Sequence, residues 1–167
     1  MDTIECINSK RSIRAYEETQ IPYETVMELL TLGTKASTGS NHQPWGFVVI
    51  QDAREIEDLS KNIKAYLLEN LEKYPYLSQY ETWLQSEKYS IFNNASTLIV
   101  VYGNTDSHWY IYDCTLAAGN IMLAAYSKGI GTCWIGFAEY YFNTPEFKKK
   151  YKIQENYELV APLSCGY

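Results

Sequence analysis

Leu116-Ala117-Ala118-Gly119-Asn120-Ile121-Met122-Leu123-Ala124-Ala125 is a helical stretch that is apolar on nearly every side. A surface helix keeps a charged stripe for water, whereas one that is apolar all round has to be covered on every face. A chain of 167 residues does this most simply by sharing the helix with a second copy of itself. Asp106 is placed to cap the helix, which is expected over 107–128, and Gly129-Ile130-Gly131 ends it. The same two glycines resemble the start of a dinucleotide fingerprint. They follow a helix and precede a strand, the reverse of the order that fingerprint needs, so they read as a helix stop.

Downstream, Thr132 to Ile135 reads as a short strand ended by Gly136. A short helix follows at 145–150, capped by Asn143 or Thr144, with Lys148, Lys149 and Lys150 suiting the negative end of its dipole. A last strand is expected over 159–164, with Pro162 placing it at an edge or a bulge. Upstream, 97–102 and 46–50 are β-branched apolar runs, the second read as a buried strand. Helices are expected at 3–9, from Pro22 to about 35 with Val26, Leu29 and Leu30 on one face, and over 55–73 with Ile56, Leu59, Ile63 and Leu67 inward. Pro75 interrupts, and 77–89 reads as another helix in a Tyr-rich, charged middle expected to be exposed and variable. Strands and helices in mixed order make the class α+β, with residues 1–167 as one domain.

The totals exclude several functions. The net charge of −6 argues against a general nucleic-acid or anionic-membrane surface. No apolar segment is long enough to span a bilayer, and Met1-Asp2-Thr3-Ile4-Glu5 lacks a signal-peptide profile. Cys6, Cys114, Cys133 and Cys165 are widely spaced, which reads as reduced thiols in a cytoplasmic protein. His42 and His108 lie far apart and no Cys/His cluster has ligand spacing, so no metal is expected. There is no Gly-x-Ser-x-Gly turn for a hydrolase. Cys133 reads as a small core filler in preference to a reactive thiol; Trp45 and Trp134 either pack in the core or wall a planar ligand. Nothing here supplies its own general base or nucleophile, so any redox chemistry would belong to a cofactor.

Two polar segments remain. Lys10-Arg11-Ser12-Ile13-Arg14 gathers three cations and a hydroxyl within five residues of an acidic chain. Taken alone it is a solvated basic turn; as a site it offers charge-assisted hydrogen bonds to phosphate. Ser37-Thr38-Gly39-Ser40-Asn41, followed by His42-Gln43-Pro44-Trp45, is a loop rich in hydroxyl and amide groups.

In this order the segments resemble the nitroreductase family of FMN-dependent oxidoreductases. The family opening Arg-Arg-Ser-x-Arg-x-Phe appears as Lys10-Arg11-Ser12-Ile13-Arg14-Ala15-Tyr16. The signature Ala-Pro-Ser-x-x-Asn-x-Gln-Pro-Trp-x-Phe appears as residues 36–47, with Ser37-Thr38 in place of Pro-Ser. A small-residue helix with an Asn, then Gly-Leu-Gly-x-x-Trp-Ile-Gly, appears as Gly119-Asn120 and Gly129 through Gly136, and a closing Gly-Tyr as Gly166-Tyr167. The resemblance implies an α-β-α sandwich with a mixed, mainly antiparallel sheet, in an intertwined homodimer holding one FMN at each of two interface sites. Lys10, Arg11 and Ser12 would hold the FMN phosphate and ribityl chain, and Arg14 would approach the pyrimidine edge of the flavin. Ser37, Thr38, Gly39 and Asn41 would come from the partner subunit. The backbone of Ile135 and Gly136 would lie beside flavin N5, the hydride-accepting atom, so no side chain is catalytic in its own right. NAD(P)H and a small electron acceptor, a nitroaromatic or quinone, would be the substrates. Many members continue into a C-terminal arm that brings Lys or Arg to the phosphate; this sequence ends at Tyr167, either as a minimal member or as a truncated chain, and without such an arm more of that work would fall on residues 10–14. Two other readings stay open: an FMN store or sensor without turnover, and a Tyr-rich dimeric interaction protein with a dead flavin site.

Overall fold

The computed structural model describes residues 2–167. Among these, the chain runs through α1 (Thr3–Ser9), α2 (Tyr23–Gly33), β1 (Trp45–Ile50), α3 (Ala53–Glu69), α4 (Glu81–Gln85), β2 (Thr97–Asn104), α5 (Tyr110–Ser127), β3 (Gly131–Trp134), α6 (Glu139–Phe142), α7 (Pro145–Lys150) and β4 (Tyr157–Gly166). The strands lie in the order β1-β2-β4-β3, and all three ladders are antiparallel. The parallel component is the isolated bridge between Ser12 and Thr132.

β2 alternates between two cores. Leu98, Val100 and Tyr102 join the cluster built with α3, α4, α6 and α7, while Ile99 and Val101 join the one built with α2 and α5. All five are essentially inaccessible. A strand buried on both faces needs helices on both faces, and the result is the expected α-β-α sandwich. Each such side chain contributes about 1.5–3 kcal/mol by leaving water.

Several local expectations change. β1 is an edge strand, half-buried except for Ile50, because among the described residues β2 alone pairs with it. α5 starts at Tyr110 rather than after an Asp106 cap: the Asn104 carboxamide accepts the Asp106 N–H, and the Asp106 carboxylate is taken by Asn156. Side-chain bonds to nearby backbone compete with helix in this way. Pro22 is the N-cap of α2, not its first residue. Thr144, not Asn143, caps α7, accepting the Phe147 N–H; Asn143 instead accepts the Leu159 N–H of β4. The helix expected over 77–89 is a 3₁₀ segment, Pro75–Tyr80, followed by the short α4. This middle region is not simply exposed, since Leu77 and Leu84 are buried in the core.

Pro162 is not at an edge, because β4 lies between β2 and β3; β4 does carry an irregularity two residues away, where Val101 and Tyr102 pair with Ala161 and Leu159 and skip Val160. It sits opposite Ile135, one step past the last β3–β4 pair, Trp134–Leu163. Its carbonyl accepts the Ile135 N–H at 2.8 Å; the missing reciprocal bond is the one a proline cannot make. The ladder stops there, and the Ile135 carbonyl leaves the sheet to accept the Ala138 N–H. The local sequence thus turns the chain outward at Gly136.

α5 is covered on one half only. Cys114, Ala117, Ala118, Ile121 and Ala125 are buried, and Gly33 lets α2 close on it, since a Cβ there would lie 2.7 Å from Ile121. The opposite stripe is left open: Tyr112 is 64% and Leu116 52% exposed, and a Cβ added at Gly119 would meet nothing within 4 Å.

Candidate active site

The segment after α1 is bound flat along the β3 edge. The Ile13 N–H donates to the Thr132 carbonyl at 3.0 Å and the Glu17 N–H to the Tyr167 carbonyl at 2.7 Å. The Tyr16 hydroxyl donates to the Ile13 carbonyl at 2.7 Å and lies 2.9 Å from the Ser164 hydroxyl. Burial pushes the Tyr16 phenol far above its ordinary range, with the Ser164 hydrogen bond acting the other way. Two glycines admit this arm. A Cβ at Gly131 would lie 2.8 Å from Ile13, and one at Gly166 would lie 2.8 Å from the Tyr16 ring.

The arm delivers Arg14 to a cavity of about 870 Å³ at the end of β3, a size usual for small-molecule and cofactor sites. Cys133, Trp134, Ile135 and Gly136 form the adjoining wall, and Tyr76, Tyr80, Trp83 and Tyr89 face them from the middle region. Glu139 and Asn93 add polar groups at its boundary. Arg14 is exposed and, among the described residues, makes no salt bridge. A Cβ added at Gly136 would meet nothing within 4 Å, so a flat ring can approach the backbone there. Cys133 is buried in the core as a small filler while touching the cavity. Trp134 also lines the cavity; Trp45 packs against the α2–α5 core instead.

Of the residues expected to form the site, Arg14, Ile135 and Gly136 therefore share one cavity. Lys10, Arg11 and Ser12 lie on the same arm but do not line it. The Lys10 ammonium rests 3.6 Å from the Met122 sulfur, and the Arg11 guanidinium donates to the Asn8 and Lys10 carbonyls at the end of α1. Ser12 makes the bridge to Thr132.

Ser37, Thr38, Gly39 and Asn41 are elsewhere. Their loop is held at the start of α5, where the Gly39 N–H donates to the buried Asp113 carboxylate at 3.1 Å and 3.2 Å to its two oxygens. A Cβ at Gly39 would strike Trp109 at 2.5 Å. Asn41 accepts from the Gln43 side chain, Thr38 accepts the Gln43 N–H, and Ser40, Asn41 and Gln43 all have positive φ. Lys10 meets α5 at Met122 and Gly39 meets it at Asp113, which at 1.5 Å per residue are about 14 Å apart along the axis. A single chain does not bring the two sets together.

Sequence reading missed the aromatic wall and Asp113. Sixteen tyrosines suit aromatic packing or interfaces alike, and no periodicity says which rings turn toward a cavity. Among the described residues no three His, Cys, Asp or Glu side chains cluster as metal ligands, and no helix is long and apolar enough to cross a membrane.

Comparison with known proteins agrees with this architecture. Residues 7–167 match the family model described as the nitroreductase family. An Archaeoglobus fulgidus protein, provisionally named NADH dehydrogenase/NAD(P)H nitroreductase, is 29% identical, covering 99% of this chain and 85% of its own. A Bacteroides fragilis nitroreductase solved with bound FMN superposes with a TM-score of 0.86 at 28% identity, covering 100% of this chain and 89% of its own. A Desulfitobacterium hafniense nitroreductase, also with bound FMN, shares the fold with a TM-score of 0.81 at 23% identity, over 100% of this chain and 89% of its own. Matched from residue 7 to residue 167 and folded as these relatives are, the chain belongs to the nitroreductase family.

Proposed function

We propose that this chain is an FMN-dependent NAD(P)H oxidoreductase, acting as a homodimer by a ping-pong cycle on a small planar oxidant such as a nitroaromatic or a quinone. The observation that carries the reading is the shared cavity: an Arg14 with no salt bridge among the described residues, the open backbone at Ile135–Gly136 and an aromatic wall. These residues fit FMN, whose flat ring needs exposed backbone and apolar walls and whose pyrimidine edge favours a nearby cation. When bound, FMN supplies the centre that exchanges hydride with NAD(P)H and with the oxidant.

Arg14 then holds and electrostatically biases the pyrimidine edge. The turn that Pro162 imposes on Ile135 and Gly136 keeps side chains out of the way of the ring. The aromatic wall excludes water and gives the incoming substrate a face to lie against. Lys10, Arg11 and Ser12 are assigned to the phosphate end, where the arm leaves α1. Ser37, Thr38, Gly39 and Asn41 reach FMN from the partner subunit, a placement supported by their distance from the cavity in their own chain. The half-covered α5 supports the same assembly: Tyr112, Leu116, Gly119 and Leu123 form one stripe at helical spacing.

The test is a visible absorbance scan of the purified protein before and after anaerobic NADH or NADPH. A yellow protein that bleaches and recovers on adding menadione is the expected outcome. A yellow protein that neither nicotinamide bleaches would be a store or sensor. A colourless one that takes up no added FMN would remove the site altogether.

A further inference from the structure

Behind the aromatic wall, α3 carries two polar side chains one turn apart on the same face, Ser60 and Lys64. Ser60 is only 4% exposed, and its hydroxyl accepts the Ile91 N–H at 2.9 Å. Lys64 is half-buried, and its ammonium donates to two backbone carbonyls, of Ser86 at 2.8 Å and of Tyr89 at 2.9 Å. It has no carboxylate partner among the described residues, whose salt bridges use Lys61, Lys128 and Lys150. The Lys64 ammonium thus spends two charge-assisted hydrogen bonds on the backbone of one segment rather than on a carboxylate.

The segment that these two side chains grip belongs to neither a helix nor a strand between Ser86 and Asn94. Its own bonds are turn bonds, such as the Tyr89 N–H to the Ser86 carbonyl at 3.2 Å. Its back faces a cleft of about 290 Å³ against α3, and its front faces the large cavity; Tyr89 lines both. In front, Tyr89 meets Phe137 edge-on and Trp83 at a tilt. Burial raises the pKa of its phenol, and it shares the lining of the large cavity with Arg14. The wall that Tyr89 contributes is therefore a part of the cavity with no helix or strand of its own.

We propose that Ser60 and Lys64 are positioning residues that hold Tyr89 and Ile91 as the acceptor-facing wall, and so set how tightly a planar oxidant is bound without touching it or FMN. The proposal rests on the cavity being the oxidoreductase site described above. Lys64 fixes the carbonyls on either side of residues 87 and 88, and Ser60 fixes the amide two residues beyond Tyr89. Together they leave the ring one depth in the cavity.

The experiment uses the flavin-loaded protein with Lys64→Met, Lys64→Arg and Ser60→Ala, and menadione as the planar probe. Amide hydrogen exchange over residues 86–91, the FMN dissociation constant, and KM for menadione are compared with turnover on ferricyanide, which takes electrons without entering an aromatic slot. Lys64→Met is expected to speed exchange in this segment and raise the menadione KM about tenfold, the worth of one charge-assisted hydrogen bond. FMN affinity and ferricyanide turnover should stay within about twofold, a factor worth less than one ordinary hydrogen bond. Lys64→Arg, which keeps the donors, should recover most of the KM. Faster exchange with an unchanged menadione KM would reduce the pair to scaffolding and overturn the proposal. So would an equal loss of FMN affinity. If Lys64→Met does not fold, Ser60→Ala decides by the same measurements. Menadione quenching of Trp83 and Trp134 fluorescence, read without NAD(P)H, tests the pocket separately. A wild type that binds menadione but is not bleached by NAD(P)H removes the oxidoreductase reading, and the quench titrations of the variants still decide the role of Lys64.

Discussion

At the scale of single residues, the arm that carries Arg14 is set by two contacts that tolerate no added atom. The atoms of Ile13 nearest a Cβ at Gly131 include its own Cβ, which cannot swing aside. Gly131→Ala should therefore lift the arm, strain the Ile13–Thr132 bond and cost about 1–3 kcal/mol in urea unfolding, with weaker FMN retention as the second readout. Arg14→Ala removes the one cation that lines the cavity among the described residues, and should weaken FMN binding by about 1.5–3 kcal/mol, roughly ten- to a hundredfold by flavin fluorescence titration. Arg11→Ala should cost less, because part of its hydrogen bonding goes to the end of α1. Equal losses in the two variants would count against the division of labour proposed for the arm. Arg14 is legible as a candidate because cations beside a hydroxyl are a recognisable pattern. Tyr89 is not, because sixteen tyrosines offer no local signal for the one that a distant lysine will hold in place.

At the scale of elements, α3 and α7 are joined at Glu55, whose carboxylate takes the Tyr151 hydroxyl at 2.7 Å and the Lys150 ammonium at 2.8 Å. The Lys150 and Tyr151 hydrogen bonds hold its pKa below the ordinary 4.5. A lowered folded-state pKa means that the stabilisation is present above the unfolded value and is lost as pH falls through the folded one. Lys150 is more than half exposed, so screening keeps the contribution under about 1 kcal/mol. Urea unfolding of wild type and Glu55→Gln should differ at about pH 6 and converge toward about pH 3. A constant gap would show that the loss was packing rather than charge. Thr144→Ala should cost α7 about 1 kcal/mol, since the N-cap oxygen is its specific N-terminal partner. Caps of this kind were partly readable: the pattern Asn143-Thr144-Pro145 marked the start of α7, but which side chain turned inward depended on β4 claiming Asn143.

At the scale of the whole molecule, the sheet is covered on both faces while α5 is covered on one. Leu116→Glu places a charge in the middle of the open stripe. It should shift the protein toward monomer in sedimentation velocity and lower FMN occupancy with it, if the loop at 37–41 serves the partner's cavity. A monomer that still retained FMN at the wild-type level would separate the two roles. The dimeric reading began with the same residues, since a helix apolar all round cannot be satisfied by a chain that reaches only one side of it.

What the sequence determined by itself was local and ordinal: periodic apolar faces, β-branched runs, the glycine stops around β3, a cationic arm, and motifs in the order that marks the family. These are properties of residues within about a turn or a strand of one another, where backbone geometry dictates the pattern. The tertiary structure alone decided the strand order, the interior place of β4, the open half of α5 and the wall of the cavity. Each rests on pairs such as Tyr16 with Ser164 or Lys64 with Ser86, brought together from separate stretches of chain. Side-chain chemistry permits many such pairs, and only simultaneous packing of the whole core selects among them.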